Sequence, residues 1–199
     1  VSSATRKWWA LALLSVVQFM VVLDIAIVNV ALPSIQVDLG FSQENLQWVI
    51  SAYALVFGGF LLLGGRAADL LGRRRMFLSG LAVFTAGSLA AGLAWSEASL
   101  IGARSLQGLG AAIISPAALS ILMTTFSEGR ERNIALGVWG AVGGFGAAAG
   151  VLLGGVFGLL IVAISCHQGM SASNGAVGVG RSTTRAMVYS ALAILVVNF

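Results

Sequence analysis

Along this chain, apolar runs of about twenty residues alternate with short polar or glycine-punctuated breaks. Five runs stand out: residues 8–32, closed by Pro33; 46–64; 76–95; 100–124, which carries Arg104 and Pro116; and 133 to roughly 157. A helix crosses the hydrocarbon of a bilayer with about 20 residues, whereas a membrane β-strand needs only about 10. Runs of this length predict an all-α membrane protein with five transmembrane helices, because a helix in lipid satisfies its backbone polar groups internally. Beyond 157 the pattern deteriorates. The apolar stretch continues to Ser165, a small-residue stretch follows over 166–181, and a last apolar piece covers 186–199. That piece is too short to cross.

The breaks give an orientation. Arg6 and Lys7 precede the first run. Asp38 and Glu44 separate runs one and two, and Arg66 with Arg73, Arg74 and Arg75 separates two and three. Glu97 lies between three and four, and Arg130 and Arg132 lie between four and five. Basic and non-basic breaks alternate, so the positive-inside rule places the N-terminus in the cytoplasm. Only the tail disagrees: counting spans puts its loop outside, whereas Arg181 and Arg185 argue for inside. The N-terminal run is read as a first span and not as a cleaved signal, since it is long and no cleavage pattern stands out.

Composition agrees with a membrane protein. Hydrophobic residues make up 58% of the chain and charged residues 9%, against roughly 25% charged in a soluble domain. Mean hydropathy is +0.97. The net charge of +4 resides in short loops between spans, which excludes a nucleic-acid surface. Cys166 and His167 are the only residues of their types, so neither an intrachain disulfide nor a Cys/His metal cluster can form. No third catalytic group accompanies them, and Gly178-Val179-Gly180 lacks a strand–turn–helix setting. The expectation is no enzyme, no metal and no cofactor.

Four features carry candidate chemistry, each with a plainer alternative. Residues 65–75 hold four of the 11 Lys+Arg. Here Gly65 and Gly72 permit turns at helix ends, and Asp69 can pair with Arg73 or Arg74 or cap a helix. The loop is then a breakable cytoplasmic latch, or a topology anchor alone. Asp24 lies deep in the first run with Asn29 nearby. A carboxylate in the bilayer costs at least ~2.5 kcal/mol, so it faces a cavity or a partner. Held between desolvation and a cation, it can bind and release protons; the alternative is a structural helix–helix hydrogen bond. Arg104, Gln107 and Gly108 fall at i, i+3 and i+4 on one face of the fourth span. Arg104 is a fixed cation that could tune a carboxyl, or a side chain snorkelling to the interface. Gly146, Gly150 and Gly154, spaced by four, form a packing seam, with Gly137 and Gly155 near it. The seam serves transport or packing alone. Trp8, Trp9, Trp48 and Trp95 read as interface anchors.

These motifs together resemble one family. Residues 5–156 are similar to the N-terminal half of the major facilitator superfamily, in its fourteen-span drug:proton antiporter branch. The resemblance rests on Leu23-Asp24-Ile25-Ala26-Ile27-Val28-Asn29-Val30-Ala31-Leu32-Pro33, on the loop from Gly65 to Arg75, on Arg104-x2-Gln107-Gly108, and on Gly137-x8-Gly146-x3-Gly150-Val151-x2-Gly154-Gly155. Val151 stands where the family's motif has proline. The resemblance implies alternating access in a bacterial cytoplasmic membrane, with proton entry driving efflux of hydrophobic, often cationic, compounds. It assigns Asp24, Asn29, Arg104 and Gln107 to the proton and substrate pathway. It also makes spans one and four the first helices of two inverted three-helix repeats.

Residues 157–199 resemble the C-terminus of lipid-transporting ABC permeases associated with MCE proteins (the MlaE/YrbE type). That implies a second, tail domain and a cytoplasmic ATPase as partner if the tail functions. The expectation is therefore a truncated or spliced chain whose leading function is proton-coupled drug efflux. The alternatives are a lipid ABC permease component and a non-functional fusion fragment. Its partners are the bilayer, protons and a small hydrophobic or cationic substrate.

Overall fold

The computed structural model describes residues 3–170, with side chains for 5–156. Arg181, Arg185 and the last apolar piece lie outside the described residues, as do the side chains behind the permease-like reading of 157–199. Among the described residues all regular structure is helical: α1 (Ser3–Leu39), α2 (Gln43–Leu46), α3 (Trp48–Leu71), α4 (Arg73–Gly92), α5 (Glu97–Thr125) and α6 (Arg130–Met170). Five stretches are long and apolar enough to cross a membrane, with the short α2 joining α3 in the second. The chain divides into two compact units, Val1–Gly150 and Val151–Phe199; the packing described below lies within the first.

Helix boundaries depart from the sequence reading at two places. Pro33 does not end the first helix, which runs on to Leu39. A proline removes one backbone hydrogen bond and kinks a helix, but membrane helices tolerate it where neighbours re-satisfy the freed groups. The stop comes at Gly40, whose φ of 68° is left-handed. The Phe41 N–H then bonds back to the Gln36 carbonyl at 3.1 Å, the six-to-one closure of a Schellman motif. Phe41 is buried with Val49 and Leu100, which anchors this corner.

The basic segment 65–75 is likewise mostly helix. Gly65 lies inside α3 and makes no turn; only Gly72, at φ 98°, breaks the chain between α3 and α4. Ala67, Ala68, Leu70 and Leu71 are good helix formers, so α3 continues until a residue that accepts positive φ is reached. On the other side of the bundle, Ser96 and Ser99 form a reciprocal capping box that starts α5.

The core is built around α5. Half of its most apolar window is buried, against 11–22% for the other four spans. Three clusters follow its length. Phe41, Val49 and Leu100 occupy one end; Val21, Tyr53, Phe84, Ala111 and Ile114 occupy the middle. Leu11, Leu14, Leu122, Phe126 and Ala135 occupy the other end. Glycine makes this closeness possible. A Cβ on Gly110 would stand 2.5 Å from the Phe84 backbone nitrogen, and one on Gly64 would strike the Ala112 carbonyl. Small residues thus let α3 and α4 approach α5 to backbone contact. The outer faces carry exposed apolar side chains such as Leu13, Leu62, Trp95 and Phe145, a surface that suits lipid and not water.

Candidate functional site: a buried charged cluster between three helices

Asp24 of α1 and Arg104 of α5 form an ion pair with 2.6 Å between Arg104 Nη1 and Asp24 Oδ2. The Arg104 and Asp24 side chains are 3% and 13% exposed, so this is an interior pair and not a surface one. Gln107, one turn along α5, closes a ring. Its Oε1 accepts from Arg104 Nη1 at 2.7 Å, and its Nε2 donates to Asp24 Oδ1 at 3.0 Å. Both carboxylate oxygens are therefore bonded to α5. The snorkelling alternative for Arg104 is excluded, because the side chain points inward and is buried.

Two contacts from α3 were not legible in the sequence. Arg104 Nε donates to the Val49 carbonyl, in the first turn of α3, at 3.3 Å. The guanidinium carbon lies 4.5 Å from the centroid of the Tyr53 ring, within cation–π range. Tyr53 stacks on Phe57 at 6.1 Å with a 12° interplanar angle, which fixes the ring. Backbone contact sets this register. A Cβ on Gly108 would stand 2.5 Å from the Tyr53 carbonyl oxygen, and one on Gly87 of α4 would stand 2.8 Å from Gln107 Cγ. Gly108 holds α3 against α5, and Gly87 lets α4 reach Gln107. The only signal for Gly108 in the sequence was its shared face with Arg104 and Gln107; Gly87 had none.

The other candidates separate from this cluster. Asn29 does not join it: the side chain is exposed and donates to its own helix at the Ile25 carbonyl, 2.8 Å away. Five residues turn a helix by about 140° past a full turn, so Asn29 cannot share Asp24's face. In the basic segment, Asp69 makes no ion pair with Arg73 or Arg74 among the described residues. It does not cap α4 either, where Gly72 precedes the helix without a side-chain cap. Asp69 and Arg74 are exposed and Arg73 half-buried. In the glycine motif, Gly146 packs on Phe19 of α1, with a built Cβ 3.2 Å from its carbonyl oxygen, and Gly150 packs on Ala26. The α1–α6 contact is thus next to the Asp24 turn. Gly137 and Gly155 meet nothing nearby, and Gly154 is buried. Val151, in place of the motif proline, lies within α6. Cys166 and His167 lie outside the described side chains.

Polar pairs outside the spans tie the bundle ends. Lys7 meets Glu131 at 3.4 Å, and Glu131 also accepts from the Ser127 hydroxyl at 2.6 Å. At the other end Glu97 accepts from Asn45 Nδ2 at 2.8 Å and from the Ser42 N–H at 3.0 Å. In the sequence Lys7 and Glu97 mark only orientation, and their pairing with Glu131, Asn45 and Ser42 emerges once the helices are assembled. Among the described residues no group of His, Cys, Asp and Glu could hold a metal ion.

The cluster is a buried ion pair, closed by Gln107, at the junction of α1, α3 and α5. Comparison with known proteins bears on what it serves. A family model described as Major Facilitator Superfamily matches residues 14–196. The chain is 53% identical over 151 residues, 76% of its length, to the puromycin resistance protein pur8 of Streptomyces alboniger, and covers 30% of that relative. It is 54% identical over 156 residues, 78% of its length, to the cephamycin export protein CmcT of Amycolatopsis lactamdurans, covering 32% of it. Identity to the multidrug resistance protein Stp of Mycobacterium tuberculosis is 45% over 138 residues, 69% of this chain and 26% of that one. The chain spans about a third of the length of the curated relatives it matches.

Proposed function

The chain belongs to the Major Facilitator Superfamily and is a multi-pass membrane protein; from that premise we propose that it serves proton-coupled efflux of small hydrophobic or cationic drugs. Asp24 is the proton-linked group and Arg104 its fixed counter-charge. The observation that carries the reading is the buried ring of Asp24, Arg104 and Gln107, which joins α1 to α5 through a bond that one proton can break. Uptake of a proton by Asp24 removes the ionic bond and leaves a weaker neutral one, so α1 can move relative to α5. Proton loss restores it. Spans one and four are the elements that inverted repeats place around a transport cavity.

The relatives' names support this reading: they report resistance to puromycin or to multiple drugs and export of cephamycin. The alternation of basic and non-basic breaks supports a cytoplasmic N-terminus in a bacterial inner membrane. The permease-like reading of 157–199, with its ATPase partner, falls on residues outside the described side chains.

The test is flux of ethidium, a hydrophobic cationic dye, in inverted membrane vesicles under an imposed pH gradient. The reading expects uptake that collapses with the gradient and is abolished in Asp24→Asn. Uptake unchanged by Asp24→Asn overturns it.

A further inference from the structure

We propose that Tyr53 is the positioning residue that holds Arg104 when Asp24 is neutral, so that protonation transfers the arginine's attachment from α1 to α3 and does not free it. The inference rests on the reading of Asp24 as the proton-linked group and adds what happens to the cation left behind. Arg104 is 2% exposed and stays charged at any accessible pH. A guanidinium that loses its counter-ion in such a place either finds other partners or leaves the interior.

The surroundings limit those partners. From α1, Asp24 is the one acidic group in ion-pair contact with Arg104 among the described residues. From α3, the titratable group at the site is Tyr53; Arg66 and Asp69 lie more than three helical turns further along. Beyond Arg75, α4 carries no titratable side chain, and neither does α6 between Asn133 and Val156. On α5, Glu97 is engaged at the helix start by Asn45 and Ser42. With Asp24 neutral and its bond to Arg104 weakened, the partners outside α1 are Gln107 Oε1 at 2.7 Å, the Val49 carbonyl at 3.3 Å and the Tyr53 ring at 4.5 Å.

Gln107 shares α5 with Arg104 and cannot tie it to another helix. Val49 and Tyr53 both belong to α3. The arginine, still charged, is therefore latched to α3 while α1 is released. The ring face does this, not the hydroxyl, since Tyr53 Oη is buried with no hydrogen-bond partner. Stacking on Phe57 and the close approach at Gly108 keep the ring in place whichever state Asp24 is in.

The experiment measures how fast phenylglyoxal, a guanidine-specific reagent, modifies Arg104 in membranes carrying the full chain, read by mass spectrometry. Asp24→Asn fixes the neutral state. Arg104 is expected to label slowly in the unaltered protein, in Asp24→Asn, and in Asp24→Asn/Tyr53→Phe, because each retains a holding partner. Labelling is expected at least tenfold faster in Asp24→Asn/Tyr53→Leu. Tyr53→Leu alone is expected to stay slow, which also shows that the leucine variant assembles. The proposal is overturned if Asp24→Asn labels as fast as the double variant, if the double variant stays slow, or if Tyr53→Leu alone labels fast. The labelling needs no transport. Absent proton-linked flux with this labelling pattern overturns the coupling reading and leaves the hold on Arg104; Asp24-dependent flux with labelling indifferent to Tyr53 overturns the hold alone.

Discussion

Asp24 and Arg104 are eighty residues apart in the chain and 2.6 Å apart at their side chains. This contact joins the only acid inside the first apolar run to the only base inside the fourth. Each residue is costly in a bilayer by itself, and together with Gln107 they satisfy one another. Removing one member of a buried pair leaves an uncompensated charge, which costs about 3–5 kcal/mol. The cluster is therefore a structural tie between α1 and α5.

Replacing Arg104 by lysine tests whether charge alone suffices. The guanidinium uses Nη1 for both Asp24 and Gln107 and Nε for the Val49 carbonyl, with its plane over Tyr53. A lysine ammonium is a compact point charge that cannot reproduce this planar set. Arg104→Lys is expected to keep the positive charge yet lose at least tenfold in ethidium flux at a fixed pH gradient. Flux within twofold of the unaltered protein would show that geometry is not needed.

Gln107 is expected to matter through its amide, not its length. Gln107→Leu strips the donor from Asp24 Oδ1 and the acceptor from Arg104 Nη1. Leaving buried groups unsatisfied costs about 1–3 kcal/mol. Thermal unfolding in detergent should show the loss, and Gln107→Glu should not rescue function, because it sets a second carboxylate against Asp24. An unchanged midpoint for Gln107→Leu would sink the argument.

Sequence patterning revealed the spans, their order and the two buried charges, because apolar length and intramembrane charge are local signals. What it missed was register. Nothing in the sequence tells that the carbonyl of Val49 or the face of Tyr53 reaches Arg104, since both depend on how far α3 slides along α5. The Gly108 contact fixes that slide, and it is visible only after assembly. Asn29 is near Asp24 in sequence, but its face is turned away, so it stands outside the charged cluster. Pro33 and Gly65 misled at the helix ends. Pro33 lies within a helix that a positive-φ glycine ends seven residues later, and Gly65 lies within one that runs on to Gly72.

Glu97 offers a test at the end opposite the basic segment. Its carboxylate accepts from Asn45 Nδ2 and the Ser42 N–H, tying the α1–α2 corner to the start of α5. Charge-assisted hydrogen bonds of this kind are stronger than neutral ones, but these groups are exposed and screened. Glu97→Ala is therefore expected to cost less than about 1 kcal/mol in stability. Proteolysis between residues 40 and 47 should nonetheless quicken, since the corner loses its anchor. An unchanged cleavage rate would show that burial of Phe41 alone holds it.

The glycines separate by what a methyl group would meet. Gly108→Ala drives a Cβ to within 2.5 Å of the Tyr53 carbonyl oxygen, and Gly87→Ala drives one to within 2.8 Å of Gln107. Backbone oxygen cannot yield as a side chain can, so α3 must move off α5. Overpacking of this kind costs about 1–3 kcal/mol, and the shift pulls Tyr53 and Val49 away from Arg104. Gly102 and Gly137 have open space around the same position, where alanine should be neutral or stabilising by up to about 1 kcal/mol through helix propensity. Gly150→Ala, facing Ala26 beside the Asp24 turn, should fall with the first pair, because the methyl group has no room there. Detergent unfolding midpoints for the five alanine variants check this directly. Equal effects at Gly108 and Gly102 would mean that the close approach of α3 to α5 does not set the register of the charged cluster.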